Sequence, residues 1–515
     1  MLKEKQIKRK VLKVLKFLII NILLILILLT FYINNTFSDV SFEQLLYSLQ
    51  TAEGTGNNMI FNGALYIVPK LLFIDFIYII FYVIRIKFLK KEIYLNLYIK
   101  NKKIRINLIP ISFKISCLIF IFFIIFSLFY FMNGIGLIQY LFFNKDTHFF
   151  EKYYVAPNTV KISAPAKKQN LIYIYVESLE TSLFSEDGGG NFKDSVIPNL
   201  ENIAADNVNF SSTDKLGGAT MVSGTNWTIA GIVAQSAGIP LKLSTTDGNI
   251  YWDYNGAYLP GAYTLGEVLK DNDYNNYFIL GSNAGFGGRS LYFSQHGDYQ
   301  IYDYLYAKWN NWIDKDYEVW WGYEDSKLYG FAKKQLTKIA EKEEPFNFTI
   351  LTADTHPTDG YFDSSCDQVY DQAYLNSYHC ADKMLSEFIE WVKEQDFYKD
   401  TTIVIVGDHL SMQSNLTDMF DVPGDRYIYN TFINSKVKPI NTKNRSFTSM
   451  DIYPTVLASL GFKIEGDRLG MGTNLFSTKK TLAEQLGMDN LNDEVSHKSQ
   501  YYNDNIVKDK TLVEK

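Results

Sequence analysis

The chain has 515 residues, with 50 Lys and Arg against 56 Asp and Glu, and is 47% hydrophobic and 16% aromatic. That length exceeds one ordinary domain, and the net charge of −6 hides a division. Residues 1–132 hold 17 basic against 6 acidic side chains, and residues 133–515 hold 33 against 50. So acidic a soluble part argues against nucleic acid as a partner, because phosphate binding needs a basic surface.

Residues 1–132 read as a membrane anchor with three transmembrane helices, at about 17–33, 59–84 and 111–132. Phe17 to Ile33 is interrupted only by Asn21 and Thr30, and a helix needs roughly 20 such residues to cross a bilayer. Lys3, Lys5, Lys8, Arg9, Lys10, Lys13 and Lys16 precede it, and it passes into Asn34-Asn35 rather than into small residues. This is the pattern of an uncleaved anchor, not of a signal peptide. Lys70 and Asp75 interrupt the second span and are expected to face protein.

The loop over 85–106 carries Arg85, Lys87, Lys90, Lys91, Lys100, Lys102, Lys103 and Arg105 against Glu92, and residues 34–58 carry no Lys or Arg. Positive charge marks the cytoplasmic side. The N-terminus and the 85–106 loop are therefore expected inside the cytoplasmic (inner) membrane. Everything beyond about residue 133 is then periplasmic or extracellular. In the first outer loop Phe42, Leu45, Leu46 and Leu49 share a helical face, either lying at the membrane interface or packing on the soluble domain.

Residues 133–168 read as a linker, 169–477 as the main domain, and 478–515 as a peripheral helix with a frayed tail. Within 169–477 strand patterns alternate with helical ones, the mark of an α/β fold with a mainly parallel sheet. Strands are expected at 171–176, 277–280, 346–351, 402–406 and 429–433. Helices are expected at 198–206, 228–236, 261–272, 325–342, 370–395 and 449–460. Cys117 lies in the third span and is expected to be inert packing. Cys366 and Cys380 are either an export-compartment disulfide or two buried thiols.

Two strands end on metal-capable side chains. Ile403 to Val406 is wholly apolar and β-branched, and Gly407-Asp408-His409 follows it; Leu171 to Val176 runs into Glu177. Ligands gather at the carboxyl edge of open α/β sheets, so a divalent cation between the two strands is expected, the alternative being a solvated acidic turn. Thr228 opens a small-residue helical stretch. It is either an ordinary helix cap or a nucleophile placed where the helix end favours negative charge.

Taken together and in order, Tyr-Val-Glu177-Ser-Leu-Glu, Asn-Trp-Thr228-Ile-Ala-Gly, Thr-His356-Pro and Val-Gly-Asp408-His409 resemble a known family. They resemble the membrane-anchored phosphoglycerol transferases of the sulfatase/alkaline phosphatase superfamily, of the type that decorates periplasmic glucans, with lipoteichoic acid synthases as more distant relatives. The likeness covers about residues 165–477, including Thr448 to Thr455. It implies a sulfatase-like sheet sandwiched by helices, and one divalent ion, Mn²⁺ first with Mg²⁺ or Zn²⁺ also fitting, held by Glu177, Thr228, Asp408 and His409. It implies Thr228 as nucleophile, phosphatidylglycerol as membrane donor, and a sugar hydroxyl of an extracytoplasmic glycan as acceptor. His356 matches a residue that contacts substrate and moves protons, and Arg289 one that grips phosphate or glycerol. His296 belongs to the pattern with its role open, and Trp227 either lines the pocket or is core. Lipoteichoic acid synthases carry an aromatic residue where Gly287 stands here, a departure at the glycerol pocket. The alternatives are a phosphoethanolamine transferase, which shares the threonine and metal, or a hydrolase of the same fold. A sulfatase proper needs Cys/Ser-x-Pro-x-Arg, which this sequence lacks.

Overall fold

A computed structural model describes residues 2–38, 40–50, 57–88, 94–99, 102–143, 145–242, 257–420 and 426–508. The chain forms two compact units, Met1–Phe42 with Asn57–Phe143, and Glu43–Gly56 with Asn144–Lys515. The N-terminal elements are α1 (Leu2–Thr36), α2 (Phe42–Gln50), α3 (Asn57–Phe88), an antiparallel hairpin of β1 (Tyr94–Ile99) and β2 (Lys102–Asn107), and α4 (Leu108–Gly134). Among the described residues three stretches are long and apolar enough to cross a membrane: Val11–Thr36, Phe61–Phe81 and Cys117–Gly134. Asp75 has the protein partner expected of it, accepting from Asn21 Nδ2 at 3.3 Å. Lys70 does not: it is exposed and turns back onto its own helix, its ammonium 3.2 Å from the Tyr66 ring centroid. Cys117 is likewise exposed rather than packed.

The second unit is built on a sheet. Its strands are β4 (Asn170–Val176), β5 (Gly218–Ala219), β6 (Asn275–Leu280), β7 (Gln300–Tyr302), β8 (Phe346–Leu351), β9 (Thr401–Gly407) and β10 (Ile428–Ile433), preceded by the short β3 (Ile162–Ser163). The order is β5-β10-β9-β4-β8-β6-β7. β9, β4, β8, β6 and β7 run parallel, while β10 and β5 turn antiparallel at one edge. Side chains alternate across a strand. Leu171, Tyr173 and Tyr175 therefore enter one core, and Ile172, Ile174 and Val176 the other.

The helices of this unit are α5 (Phe149–Tyr153), α6 (Pro198–Asp206), α7 (Thr228–Ala237), α8 (Leu265–Lys270), α9 (Arg289–Gln295), α10 (Tyr304–Trp309), α11 (Asp325–Ala340), α12 (Ala373–Lys393), α13 (Ser414–Thr417), α14 (Ile452–Ser459), α15 (Leu482–Leu486) and α16 (Met488–Ser496). α7, α8, α9 and α14 bury their apolar sides in the first core, and α6, α11 and α12 in the second. The result is the expected mainly parallel sheet between helical layers. α8 is shorter than the expected 261–272 because Thr264 and Glu267 form a capping box that starts it at Leu265. The edge strands β5 and β7 are too short to give a sequence pattern. Cys366 and Cys380 are joined in a disulfide, Cα–Cα 5.6 Å, at the start of α12.

Both flanks of the sheet domain depart from expectation. Within the stretch read as a linker, Phe149 and Phe150 are buried in the first core, and β3 pairs with Lys463–Ile464. Within the stretch read as a tail, Leu482, Leu491, Val495, Tyr502 and Ile506 are buried in the same core. In both places a few apolar residues at helical spacing are diluted among charged ones, so composition hides the packing face. Phe150→Ala is expected to cost about 3–5 kcal/mol of stability in this unit, read as a lowered thermal midpoint of the full chain; a residue in a free linker would leave that midpoint unmoved.

Candidate active site

The register of two strands builds the centre of the site. β4 and β9 pair in parallel so that Val176 lies beside Gly407, and each strand's next residue, Glu177 and Asp408, leaves the same edge. His409 follows at once. Ligand atoms of Glu177, Asp408 and His409 all lie within 4.8 Å of one another, and all three residues are buried. His409 Nε2 is 3.3 Å from Glu177 Oε1 and 3.4 Å from Asp408 Oδ2.

Backbone groups aim these side chains. The amides of Ser178 and His409 both donate to Asp408 Oδ1, at 2.7 and 2.8 Å. Ser178 reaches this position with φ of 55°, and its hydroxyl donates to Glu177 Oε1 at 2.7 Å. Thr355 Oγ1 donates to the Glu177 carbonyl, and the Tyr378 hydroxyl of α12 to the Ser178 carbonyl. From the opposite core, Gln235 of α7 donates to the carbonyls of Gly407 and Asp408, at 2.8 and 3.1 Å. α7 comes so close that a Cβ at Gly231 would stand 2.0 Å from the Asp408 carbonyl oxygen; only glycine permits that approach.

Thr228 is the first residue of α7, and Trp227 occupies the cap position without a side-chain capping bond. The Thr228 hydroxyl is not spent on the helix backbone. It donates to Glu177 Oε2 at 3.2 Å, and Thr228 is only partly buried, unlike the three residues it joins. The geometry is that of a reachable hydroxyl resting on an enclosed charged cluster, at a helix end that favours anions.

The electrostatics of the cluster are lopsided. Burial by itself raises Glu177, but His409 and His356 outweigh it and hold that carboxyl well below the usual range. Burial, then the charge of Glu177, pushes Asp408 up to about 7. Burial works against a proton on His409, yet Asp408 and Glu177 overcome it and push the ring up to about 9. Asp408 Oδ2 is buried with no hydrogen-bond partner among the described residues. His409 Nδ1 faces the Leu410 carbonyl at 2.8 Å, which fixes the N–H there and leaves Nε2 as the lone-pair nitrogen. Two carboxylates, one orphaned oxygen and one oriented imidazole fit a divalent cation of hard-to-borderline character.

The remaining expected residues are placed as follows. His356 faces the Pro357 carbonyl through Nδ1 at 2.5 Å; burial lowers its pKa despite the pull of Glu177. Arg289 is buried, not a surface residue, and its guanidinium donates to the carbonyls of Phe286 and Asn283, both at 2.9 Å. Burial draws it down to about 10 against the opposing charges of Glu177, Tyr47, Asp303 and Asp408. The indole N–H of Trp227 is buried with no acceptor among the described residues, and its ring tilts against Tyr47 at 5.8 Å. His296 is committed on both nitrogens, Nδ1 to Glu267 Oε2 at 3.1 Å and Nε2 to the Tyr258 carbonyl at 2.6 Å.

An aromatic wall joins Arg289 to His356 and was not foreseen. The Arg289 guanidinium lies 5.3 Å from the Phe286 ring centroid, Phe286 lies 5.5 Å from Trp321, and Trp321 meets His356 edge-on at 4.7 Å. The adjacent pair Trp320-Trp321 in a turn was the available signal. From the cluster geometry, Mn²⁺ is expected to raise the thermal midpoint of the protein, and Asp408→Asn to weaken its binding by about 100-fold or more, measured by titration calorimetry. Binding should also weaken as pH falls below about 9, where His409 takes up a proton that the cation must displace, and further below about 7, where Asp408 does the same.

Comparison with known proteins agrees with this architecture. The phosphoglycerol transferase I of Xanthomonas axonopodis pv. citri is 31% identical over 303 residues, 57% of this chain and 41% of the relative. That of Escherichia coli O127:H6 is 32% identical over 274 residues, 52% of this chain and 33% of the relative. The chain thus spans about two fifths or less of the length of these curated relatives. Among solved structures, a protein in the alkaline phosphatase superfamily from Vibrio parahaemolyticus aligns at 20% identity and a TM-score of 0.48, covering 64% of this chain and 76% of that one. The sulfatase family model matches residues 169–462. Since that match takes in more than half of the sequence and all seven strands of the central sheet, the chain belongs to the sulfatase family.

Proposed function

We propose that this protein is a phosphoglycerol transferase that moves the phosphoglycerol group of phosphatidylglycerol to a sugar hydroxyl of an extracytoplasmic glycan, through a covalent intermediate on Thr228. One observation carries the reading: the Thr228 hydroxyl bypasses its own helix end and rests on Glu177 of the charged cluster. The names of the curated relatives support the group transferred. The bias of basic residues toward the N-terminus and the 85–106 loop, with a disulfide in the sheet domain, supports a multi-pass protein of the cytoplasmic membrane whose catalytic unit faces outward.

Glu177, Asp408, His409 and Thr228 would hold one divalent cation, with Mn²⁺ favoured. When bound, it supplies Lewis acidity, lowering the pKa of the adjacent hydroxyl and neutralising phosphate charge. The chain's own groups do the rest. Thr228 Oγ1 attacks phosphorus, the bond to the diacylglycerol oxygen breaks, and diacylglycerol leaves as an alcohol. The sugar hydroxyl then attacks the same phosphorus, the bond to Thr228 breaks, and the threonine hydroxyl is restored. His356, with Nδ1 turned to the Pro357 carbonyl, presents Nε2 to carry a proton between the departing and entering oxygens. Its lowered pKa keeps it an acceptor near neutral pH. Arg289 and the Trp227 N–H are the donors for phosphate oxygens.

With phosphatidylglycerol labelled in its headgroup glycerol, wild-type membranes should pass label to a glycan. Thr228→Ala should lower that transfer by about three orders of magnitude or more while the protein stays folded, as read by its thermal midpoint. Label taken from phosphatidylethanolamine instead, or transfer that survives Thr228→Ala, would overturn the assignment.

A further inference from the structure

α2 lies between the first and second apolar spans in the sequence, yet its residues from Glu43 onward belong to the compact unit that holds the site. What it buries there is unexpected. Phe42, Leu45 and Leu46, the face read from the sequence as apolar, are only half-buried, while Gln44 and Tyr47 are 7% and 2% exposed. A helix docked for hydrophobic burial alone would reverse that choice. The two buried residues reach the segments that carry Thr228, His409 and Arg289. Gln44 Oε1 accepts from Asn226 at 3.4 Å, two residues before Thr228, and Gln44 Nε2 lies 2.9 Å from Met412 Sδ, three residues after His409. Tyr47 packs its ring on Trp227, and its hydroxyl donates to the Gly287 carbonyl at 2.6 Å, two residues before Arg289.

The Arg289 loop needs such a brace. Gly287 and Gly288 take left-handed conformations, with φ of 68° and 69°, which turns the chain sharply before α9. The guanidinium of Arg289 holds the carbonyls of Asn283 and Phe286, and the next carbonyl along the chain, that of Gly287, is held by Tyr47. Tyr47 is supported in turn: its oxygen pairs with the Tyr258 hydroxyl at 2.9 Å, and the Tyr258 carbonyl accepts from His296. A buried carbonyl deprived of its donor costs more than the bond was worth, so the loop would shift to recover a partner and carry Arg289 with it.

We propose that α2 is part of the catalytic site and that Tyr47 is a positioning residue, holding the Arg289 loop and Trp227 in the geometry that receives the phosphate of a glycerophosphodiester. This rests on the assignment of Arg289 and Trp227 to that phosphate. The test uses the full chain carrying Thr228→Ala, with binding of glycerol phosphate in the presence of Mn²⁺ read by calorimetry, so that it does not depend on turnover. Adding Tyr47→Phe, which keeps the ring against Trp227 and removes only the hydroxyl, should weaken binding about tenfold and lower the thermal midpoint only slightly, with the chain still fully folded at the temperature of the titration. In a background that also carries Arg289→Ala, Tyr47→Phe should have no further effect, because it acts through the arginine. Binding within twofold of the parent, or a loss that persists undiminished without Arg289, would overturn the proposal. If the Thr228→Ala parent binds no glycerol phosphate at all, it is the functional reading that fails.

Discussion

Two buried carboxylates, set side by side by the pairing of β4 with β9, are the constraint around which the second unit is arranged. In parallel register, consecutive residues past Val176 and Gly407 have nowhere to go but the same edge, and both are acidic. Like charges this close and this dry are unfavourable unless something offsets them. His409 offsets part, and the amides of Ser178 and His409 satisfy one oxygen of Asp408. The other oxygen has no hydrogen bond among the described residues. That incompletely satisfied oxygen fits the cluster to a cation better than to a structural ion pair, whose groups would all be satisfied.

Much of the architecture serves to keep this arrangement from relaxing. Gln235 ties the carbonyls of Gly407 and Asp408 to α7, and Gly231 lets that helix press against the same backbone. On the other face Tyr374 and Tyr378 of α12 bond the carbonyls of Thr355 and Ser178. Both helical layers therefore grip the strand ends directly. Thr228 profits from the same geometry, since the helix that clamps β9 also carries the hydroxyl to Glu177. Positioning of the Thr228 hydroxyl and of the cluster is one mechanical problem with one solution.

The parts of this that were legible in the sequence share a property: each is announced by its immediate neighbours. Glu177 and Asp408 follow uninterrupted apolar strands, so local pattern marked them, while Thr228 opens a run of small residues that local pattern left open between helix cap and nucleophile until the ordered family resemblance was weighed. The central strands were found for the same reason, since burial on both faces leaves a continuous apolar run. What was missed depends on partners far away in the chain. The buried role of Phe150 and the packing of Tyr502 on it are invisible in stretches that look polar overall. Tyr47 sits in a loop whose only visible signal was an apolar stripe on another face of the helix. His296 was legible as part of a pattern, but not as the support of Tyr258.

The aromatic wall bears on why a threonine suits this site. A phosphate ester on threonine is useful to a transferase only if water is a poorer acceptor than the intended alcohol. The rings of Phe286 and Trp321 run between Arg289 and the His356 imidazole, and apolar ring surface of this kind lowers the local density of water while accommodating the C–H faces of a polyol. Gly287 removes the aromatic residue that lipoteichoic acid synthases carry there. In this chain the left-handed turn it permits brings Phe286 under Arg289 instead, with Trp321 beside it. On the proposed reading, ring surface is retained at the glycerol side of the site while the segment that supplies it has changed, and selectivity for a sugar alcohol over water follows from that surface rather than from the cluster, which any sulfatase-fold hydrolase could equally use.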